Sequence, residues 1–224
     1  MRKVIILICF LYAINSFAQN IDYARYIIDT LASPSMEGRG YVSDGDHKAA
    51  AFIKNEFQKD GLLSFGNNFY QKFDLAINTL PGNANIRIDK HDLVPGVDYL
   101  VSASSPSLKG EFKIVMLNAK KLKSKARFKR FSKRDYSDKV VVVDKKGIVE
   151  KNQLALSDSL RKYNFLKSRA LVFIKDDKLT WSISAANRQI PYTTIDIKRE
   201  AWRGKSSSMT FDIEAQFKKA YETQ

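Results

Sequence analysis

Apolar residues recur along this chain with two different periods. Ala24, Ile27, Ile28 and Leu31 stand three and four apart, the spacing of one helix face, and predict a helix over 21–32 that ends at Pro34. Ala49, Ala50, Phe52, Ile53 and Phe57 repeat the pattern and predict a helix over 46–60, with Gly61 where a C-cap glycine belongs. The period then falls to two. "NNFYQKFDLAI" (67–77) alternates like a strand, and "LPGNAN" (80–85) breaks it with Pro and Gly. Beyond it the apolar runs are short: "NIRID", "DYLVSA", "EFKIVML", "KVVVVD", "ALVFI", "TWSIS", "IPYTTIDI" and "MTFDIEAQF". One helical stretch, 150–163, separates "KVVVVD" from "ALVFI", and that order predicts a parallel pair joined by a crossover. The expected fold class is therefore α+β or α/β: two N-terminal helices, then a β-rich domain containing a strand–helix–strand crossover. No internal repeat is visible.

The first residues stand apart from this pattern. Arg2 and Lys3 precede an apolar run over 4–13, too short to span a bilayer, and Ser16-Phe17-Ala18 supplies small residues at −3 and −1. The expectation is a signal peptide over 1–18, cleaved after Ala18, and a secreted or periplasmic mature chain. The expected layout is then 19–80 as a helical segment and 81–224 as the β-rich domain. Cleavage removes Cys9, the sole cysteine, so the mature chain has no disulfide, thiolate ligand or Cys nucleophile. Removing Arg2 and Lys3 as well leaves 36 of the 38 basic residues against 24 acidic ones, a balance of +12. Outside the cytoplasm such a charge favours acidic polysaccharide, anionic lipid head groups or acidic peptides rather than nucleic acid.

"LASPSMEGRGYVSDGDHKAAAFIKNEF" (31–57) is the stretch densest in candidate chemistry. Gly38, Gly40 and Gly45 follow a helix and miss the G-x-G-x-x-G spacing of a dinucleotide site, and Asp46-His47 stands where a P-loop carries Lys-Ser/Thr. Asp44, Asp46 and His47 are metal-ligand types, but Asp44 or Ser43 at the N-cap and Asp46 in the first helical turn give a reading without a metal. The two histidines, His47 and His91, accompany no G-x-S-x-G nucleophile elbow. "DKHDL" around His91 reads as an exposed turn. The glycines are turn-formers, and Arg39, held between two of them, is a candidate to pair with a carboxylate in the domain or across an interface. A second stretch, 119–139, holds ten basic and two acidic residues interleaved with Leu122, Phe128, Phe131 and Tyr136. It reads either as a solvated segment pinned by its apolar residues or as a polyanion site carried by Lys120, Lys121, Arg127 and Arg130.

The opening stretch also resembles a family. Leu31-Ala32-Ser33, Met36, Gly38-Arg39, Lys48-Ala49-Ala50, Phe52-Ile53 and Gly61-Leu62, followed by "NFYQKFDL" (68–75), resemble the N-terminal segment of secreted zinc aminopeptidases of the transferrin-receptor-like and glutaminyl-cyclase-like superfamily. "SDKVVVVD", "LRKYNFLKSRALVFI" and "IPYTTIDI" resemble, more loosely, strands and a helix of the protease-associated domain inserted in many of them, although Ser168-Arg169-Ala170 lacks the usual glycines. The resemblance ends before the family's zinc ligands. The seven Glu residues contain no adjacent pair, and His91-Asp92-Leu93 lacks the His-x-Asp spacing. No catalytic or metal residue carries over, and zinc is expected only in a catalytic domain beyond this chain. The resemblance thus implies a non-catalytic region that flanks or gates a peptidase domain and contacts peptide or protein partners. The alternatives are a standalone extracytoplasmic module for anionic ligands and a hydrolase with a Ser or Asp centre.

Overall fold

The computed structural model describes residues 20–66, 68–182 and 185–223; the expected leader at 1–18 lies outside them. The described residues form two compact units, divided between Lys72 and Phe73, with Thr223 belonging to the first.

The first unit carries helix α1 (Ile21–Leu31), a 3-10 segment (Pro34–Arg39) and helix α2 (Gly45–Lys59). Asn20 starts α1 by accepting the Tyr23 amide at 2.9 Å. The turn into α2 is a run of left-handed backbone: Glu37, Gly38, Arg39, Ser43 and Asp44 all have positive φ. Gly45 is required by proximity, since a Cβ there would lie 2.7 Å from the Met36 carbonyl oxygen and 2.9 Å from the Gly40 nitrogen. Asp44 stands at the N-cap position, but its left-handed φ of 54° directs it away and it makes no capping hydrogen bond, contrary to expectation. The expected end of α2 is present. Gly61 has φ 72°, its amide bonds to Gln58 and that of Leu62 to Phe57, the paired closure of a Schellman motif. Among this unit's described residues only Gly45, Ala49, Glu56 and Thr223 are buried.

The second unit holds β1 (Phe73–Thr79), β2 (Ala84–Ile88), β3 (His91–Leu93), β4 (Tyr99–Val101) and β5 (Leu108–Leu117). It continues with α3 (Ala119–Leu122), α4 (Lys125–Ser132), β6 (Lys139–Asp144), α5 (Lys151–Tyr163) and β7 (Ala170–Lys175). Strands β8 (Thr193–Lys198), β9 (Ser208–Ile213) and β10 (Gln216–Thr223) complete it. Eight strands form one mixed sheet in the order β3-β2-β9-β5-β6-β7-β8-β4, and β1 pairs with β10 apart from it. The expected parallel pair is β6 and β7, with Val141 opposite Leu171; β5 and β8 extend the parallel set on either side. Three strand expectations need correction. His91 lies in β3, opposite Ile88, and the hairpin turn is at residues 89–90, where Asp89 takes φ 52°. Among the described residues of "NNFYQKFDLAI" the strand begins at Phe73; Asn67 lies outside them. Thr180, Trp181 and Ser182 join no strand; Trp181 instead donates its indole N–H to the Val101 carbonyl at 2.9 Å.

Side chains alternating along β6 explain why this unit is stable. Val140 and Val142 join one apolar cluster with Ile86, Val172, Ile195 and Phe211, and Val141 and Val143 join a second with Leu117, Leu160, Leu171 and Phe173. A strand buried on both faces reads as an unbroken apolar run, which is what "VVVV" is. The second face is roofed by helices, with Leu122, Phe131 and Leu160 pressed into it. The first face is closed by curvature. Tyr99, on the last strand of the sheet, donates its hydroxyl to the Ala84 carbonyl on β2, near the other end. Asn78, buried, ties β1 in by donating to the carbonyls of Ala103 and Ser105, each at 2.8 Å.

Candidate functional site

The ten-cation stretch folds as the crossover from β5 to β6. Asn118 ends β5 and caps α3 by accepting the Lys121 amide at 3.3 Å, and Ser124 caps α4 by accepting the Arg127 amide at 3.3 Å. These two caps fix which way each helix faces. Leu122, Phe131 and Tyr136 turn inward; Phe131 stacks on Tyr136 with centroids 4.8 Å apart, and the Tyr136 hydroxyl donates to the Phe131 carbonyl at 2.8 Å. Phe128 is half-buried against Phe165. With Leu122, Phe131 and Tyr136 committed to the core, Arg127 and Arg130 stand exposed one turn apart on α4 and Arg134 follows just beyond its C-terminal end.

The result is a concave surface of about 290 Å³ lined by Asn118, Lys120, Lys121, Arg127, Arg130, Phe131 and Arg134. All four basic residues singled out from the sequence lie on it. Arg134 was missed; it lies beyond the end of α4, where no helical spacing marks it. Lys121 is the partly buried member. Its ammonium donates to the Met116 carbonyl and lies 4.9 Å from the centroid of the Phe131 ring. Burial, and then the charge of Arg134, lower its pKa from the usual lysine range. Among the described residues none of the five cations pairs with a carboxylate, whereas cations elsewhere in this unit do. Lys145 meets Asp158 at 3.0 Å, Lys109 meets Asp212 at 3.4 Å, and Arg161 meets Asp196.

The other polar constellation lies at the carboxyl ends of β6, β7 and β8. Arg199 reaches Asp144 at 2.8 Å and also holds Asp176. Burial is the largest influence on the Asp144 carboxyl and raises it, but the hydrogen bonds from Arg199 and the Lys146 amide, together with the charge of Arg199, outweigh it and the net shift is downward. Hydrogen bonds to Asp176 and Asp144 raise Arg199. Arg199 thereby ties the ends of β6, β7 and β8 together.

Among the described residues Arg39 meets no carboxylate. It donates to the Leu31 carbonyl, satisfying an acceptor left open at the end of α1. His47 has Asp44 and Asp46 each at 3.8 Å, and the Asp46 carboxylate accepts from Thr223 at 3.0 Å. Among the described residues no three His, Cys, Asp or Glu side chains stand close enough together to hold a metal ion.

Comparison with known proteins places the fold. Over 89% of its length the chain is similar to an aminopeptidase from Aneurinibacillus sp. strain AM-1, with a TM-score of 0.51 and 15% identity. Over 91% it is similar to a zinc aminopeptidase from Bacillus subtilis, with a TM-score of 0.54 and 11% identity. It spans 46% and 45% of those two chains. At such identities the likeness establishes the fold alone. No family model and no curated protein matches the sequence.

Proposed function

We propose that this chain is the non-catalytic region of a secreted zinc-aminopeptidase-type protein, which flanks a peptidase domain and restricts or orients peptide access to it. The observation that carries this reading is the surface of the first unit, taken with the shared fold. Helices α1 and α2 leave apolar residues in solvent, Ile28 at 64% exposed with Ile21, Ile53 and Phe57 also open, and the loop after α2 adds Leu63 at 92% and Phe65. An apolar surface of this kind marks an interface. The two aminopeptidases share this fold over less than half of their own length, which leaves in each a large region able to supply the covering surface. The protease-associated likeness of "SDKVVVVD" and "IPYTTIDI" belongs to the same reading. The expected leader at 1–18 belongs to the same reading; separately, among the described residues no helix is long and apolar enough to cross a membrane.

The test is the intact mass of the native protein from its source. The expected value lies well above the 25.6 kDa of this chain, with a zinc-dependent aminopeptidase activity that the 224-residue chain alone does not show. A native mass equal to residues 19–224, with the protein monomeric, would overturn the proposal.

A further inference from the structure

We infer that the concave face of α3 and α4 is a carboxylate-binding pocket that takes an acidic polypeptide segment. The inference rests on the second unit alone and stands apart from the proposal for the first.

Composition and geometry both point to an anion. Lys120, Lys121, Arg127, Arg130 and Arg134 converge on one cavity without a carboxylate counter-charge among the described residues. Its volume of about 290 Å³ equals on the order of ten waters. That is room for side chains that enter, rather than for a flat surface that only touches. Guanidinium groups on successive turns rise about 1.5 Å per residue, so Arg127 and Arg130 can each grip a separate carboxylate with two parallel N–H donors. Lys121 is partly desolvated at the pocket floor, and an entering anion would favour its charged form.

The chemistry of the lining selects among anions. Lys and Arg side chains only donate hydrogen bonds. Asn118 is the sole neutral polar residue of the lining, and its side-chain oxygen is already engaged by the Lys121 amide. A pocket of donors complements a group that only accepts, as an ionised carboxylate does, and offers little to sugar hydroxyls. Membrane insertion needs apolar side chains beside the cations, but Leu122, Phe131 and Tyr136 are buried in the core. Stacking of nucleic-acid bases needs open aromatic rings, and Phe128 and Phe131 are turned against Phe165 and Tyr136.

The experiment is fluorescence anisotropy of a labelled hexaglutamate peptide with the full chain at about 20 mM and about 200 mM salt. Arg127→Ser/Arg130→Ser is compared with Lys109→Ser/Lys145→Ser, which removes two charges outside the pocket. We expect saturable binding at low salt, weakened about tenfold or more by the pocket variant and less than about twofold by the control. The Arg127→Lys/Arg130→Lys variant keeps the charge but loses the planar fork, and is expected to fall between them. Equal weakening by the pocket and control variants would reduce the effect to net charge and overturn the site. Saturable binding of a sulfated polysaccharide or of phosphatidylglycerol vesicles, with no binding of the peptide, would overturn the assignment to a polypeptide. An unchanged melting temperature in the pocket variant separates lost binding from lost folding.

Discussion

The two units of this protein solve the problem of burying apolar residues in opposite ways. The second folds around a sheet whose central strand is covered on both faces, and Val140, Val141, Val142 and Val143 are all fully buried. The first has two amphipathic helices that share little apolar contact beyond Tyr26 set edge-on to Phe52. What ties α1 to α2 is largely polar. The Glu56 carboxylate accepts from Tyr23 at 3.1 Å, from Tyr26 at 3.4 Å and from Lys59 at 2.6 Å. The hydrogen bond from Lys59 leads in holding the Glu56 carboxyl below the usual range, while burial leads in pushing Tyr23 up to about 12. The lesson is that helical patterning alone does not make a core. A stripe of apolar residues specifies a helix, and only a second surface of matching shape turns the stripe into stability.

The sharpest test of this contrast is truncation in each unit. Phe211→Ala opens a cavity in the closed core and should cost about 3–5 kcal/mol, read as a lower urea midpoint. Ile28→Ala removes a side chain already in water and should stay within about 0.5 kcal/mol. Comparable losses from both would mean that the first unit has a core of its own.

Next in size is Gly45→Ala. The new methyl group would press on the Met36 carbonyl and Gly40 nitrogen, and should cost about 2 kcal/mol, confined to the first unit. Hydrogen exchange followed by mass spectrometry should show faster exchange in α1 and α2 with β6 and β7 unchanged. Uniform acceleration would join the two units into one cooperative structure.

Arg199→Ala should cost about 1–2 kcal/mol, and it carries a pH signature. The Arg199 hydrogen bond leads in depressing the folded-state pKa of Asp176; at Asp144 burial pushes upward, and the hydrogen bonds from Arg199 and the Lys146 amide with the charge of Arg199 together bring it down. A depressed carboxylate stabilises the fold above its unfolded pKa of about 3.9, and that contribution fades as pH falls through the folded value. The wild-type chain should therefore lose stability below about pH 4, and the variant should lose less over the same window. Parallel profiles would show that the pair contributes nothing.

Smallest is Leu63→Ser, which should leave the melting temperature of the isolated chain unchanged. Its effect should appear in company: if the exposed surface is an interface, the variant weakens association with a peptidase domain while folding normally. Denaturation of the isolated chain by this substitution would show that Leu63 already has a partner within it.

Much of the local structure is legible in the sequence because its causes are local. The periods of three to four and of two marked both N-terminal helices, α5 and most strands, and Gly61 marked the end of α2. Pairing was legible where chain connectivity decides it, as in the β6–β7 crossover. The misses have non-local causes. His91 looks like turn chemistry until Ile88 stands opposite it. Asp44 has the right chemistry for a cap but a backbone fixed by the packing of Gly45 against the preceding turn. Arg39 sought a carboxylate in the sequence and found the end of α1.

By itself the sequence determined that this chain is a mixed α and β protein, where its two N-terminal helices and most of its strands fall, and that 119–139 is dense in positive charge. Tertiary structure alone decided that β9, late in the chain, inserts between β2 and β5, and that the sheet curls until Tyr99 reaches Ala84. It also decided that the cations of 119–139 converge. Charge is a property of residues, but a pocket is a property of facing. Only when the core claimed Leu122, Phe131 and Tyr136 were Lys120, Lys121, Arg127, Arg130 and Arg134 turned together onto one concave surface.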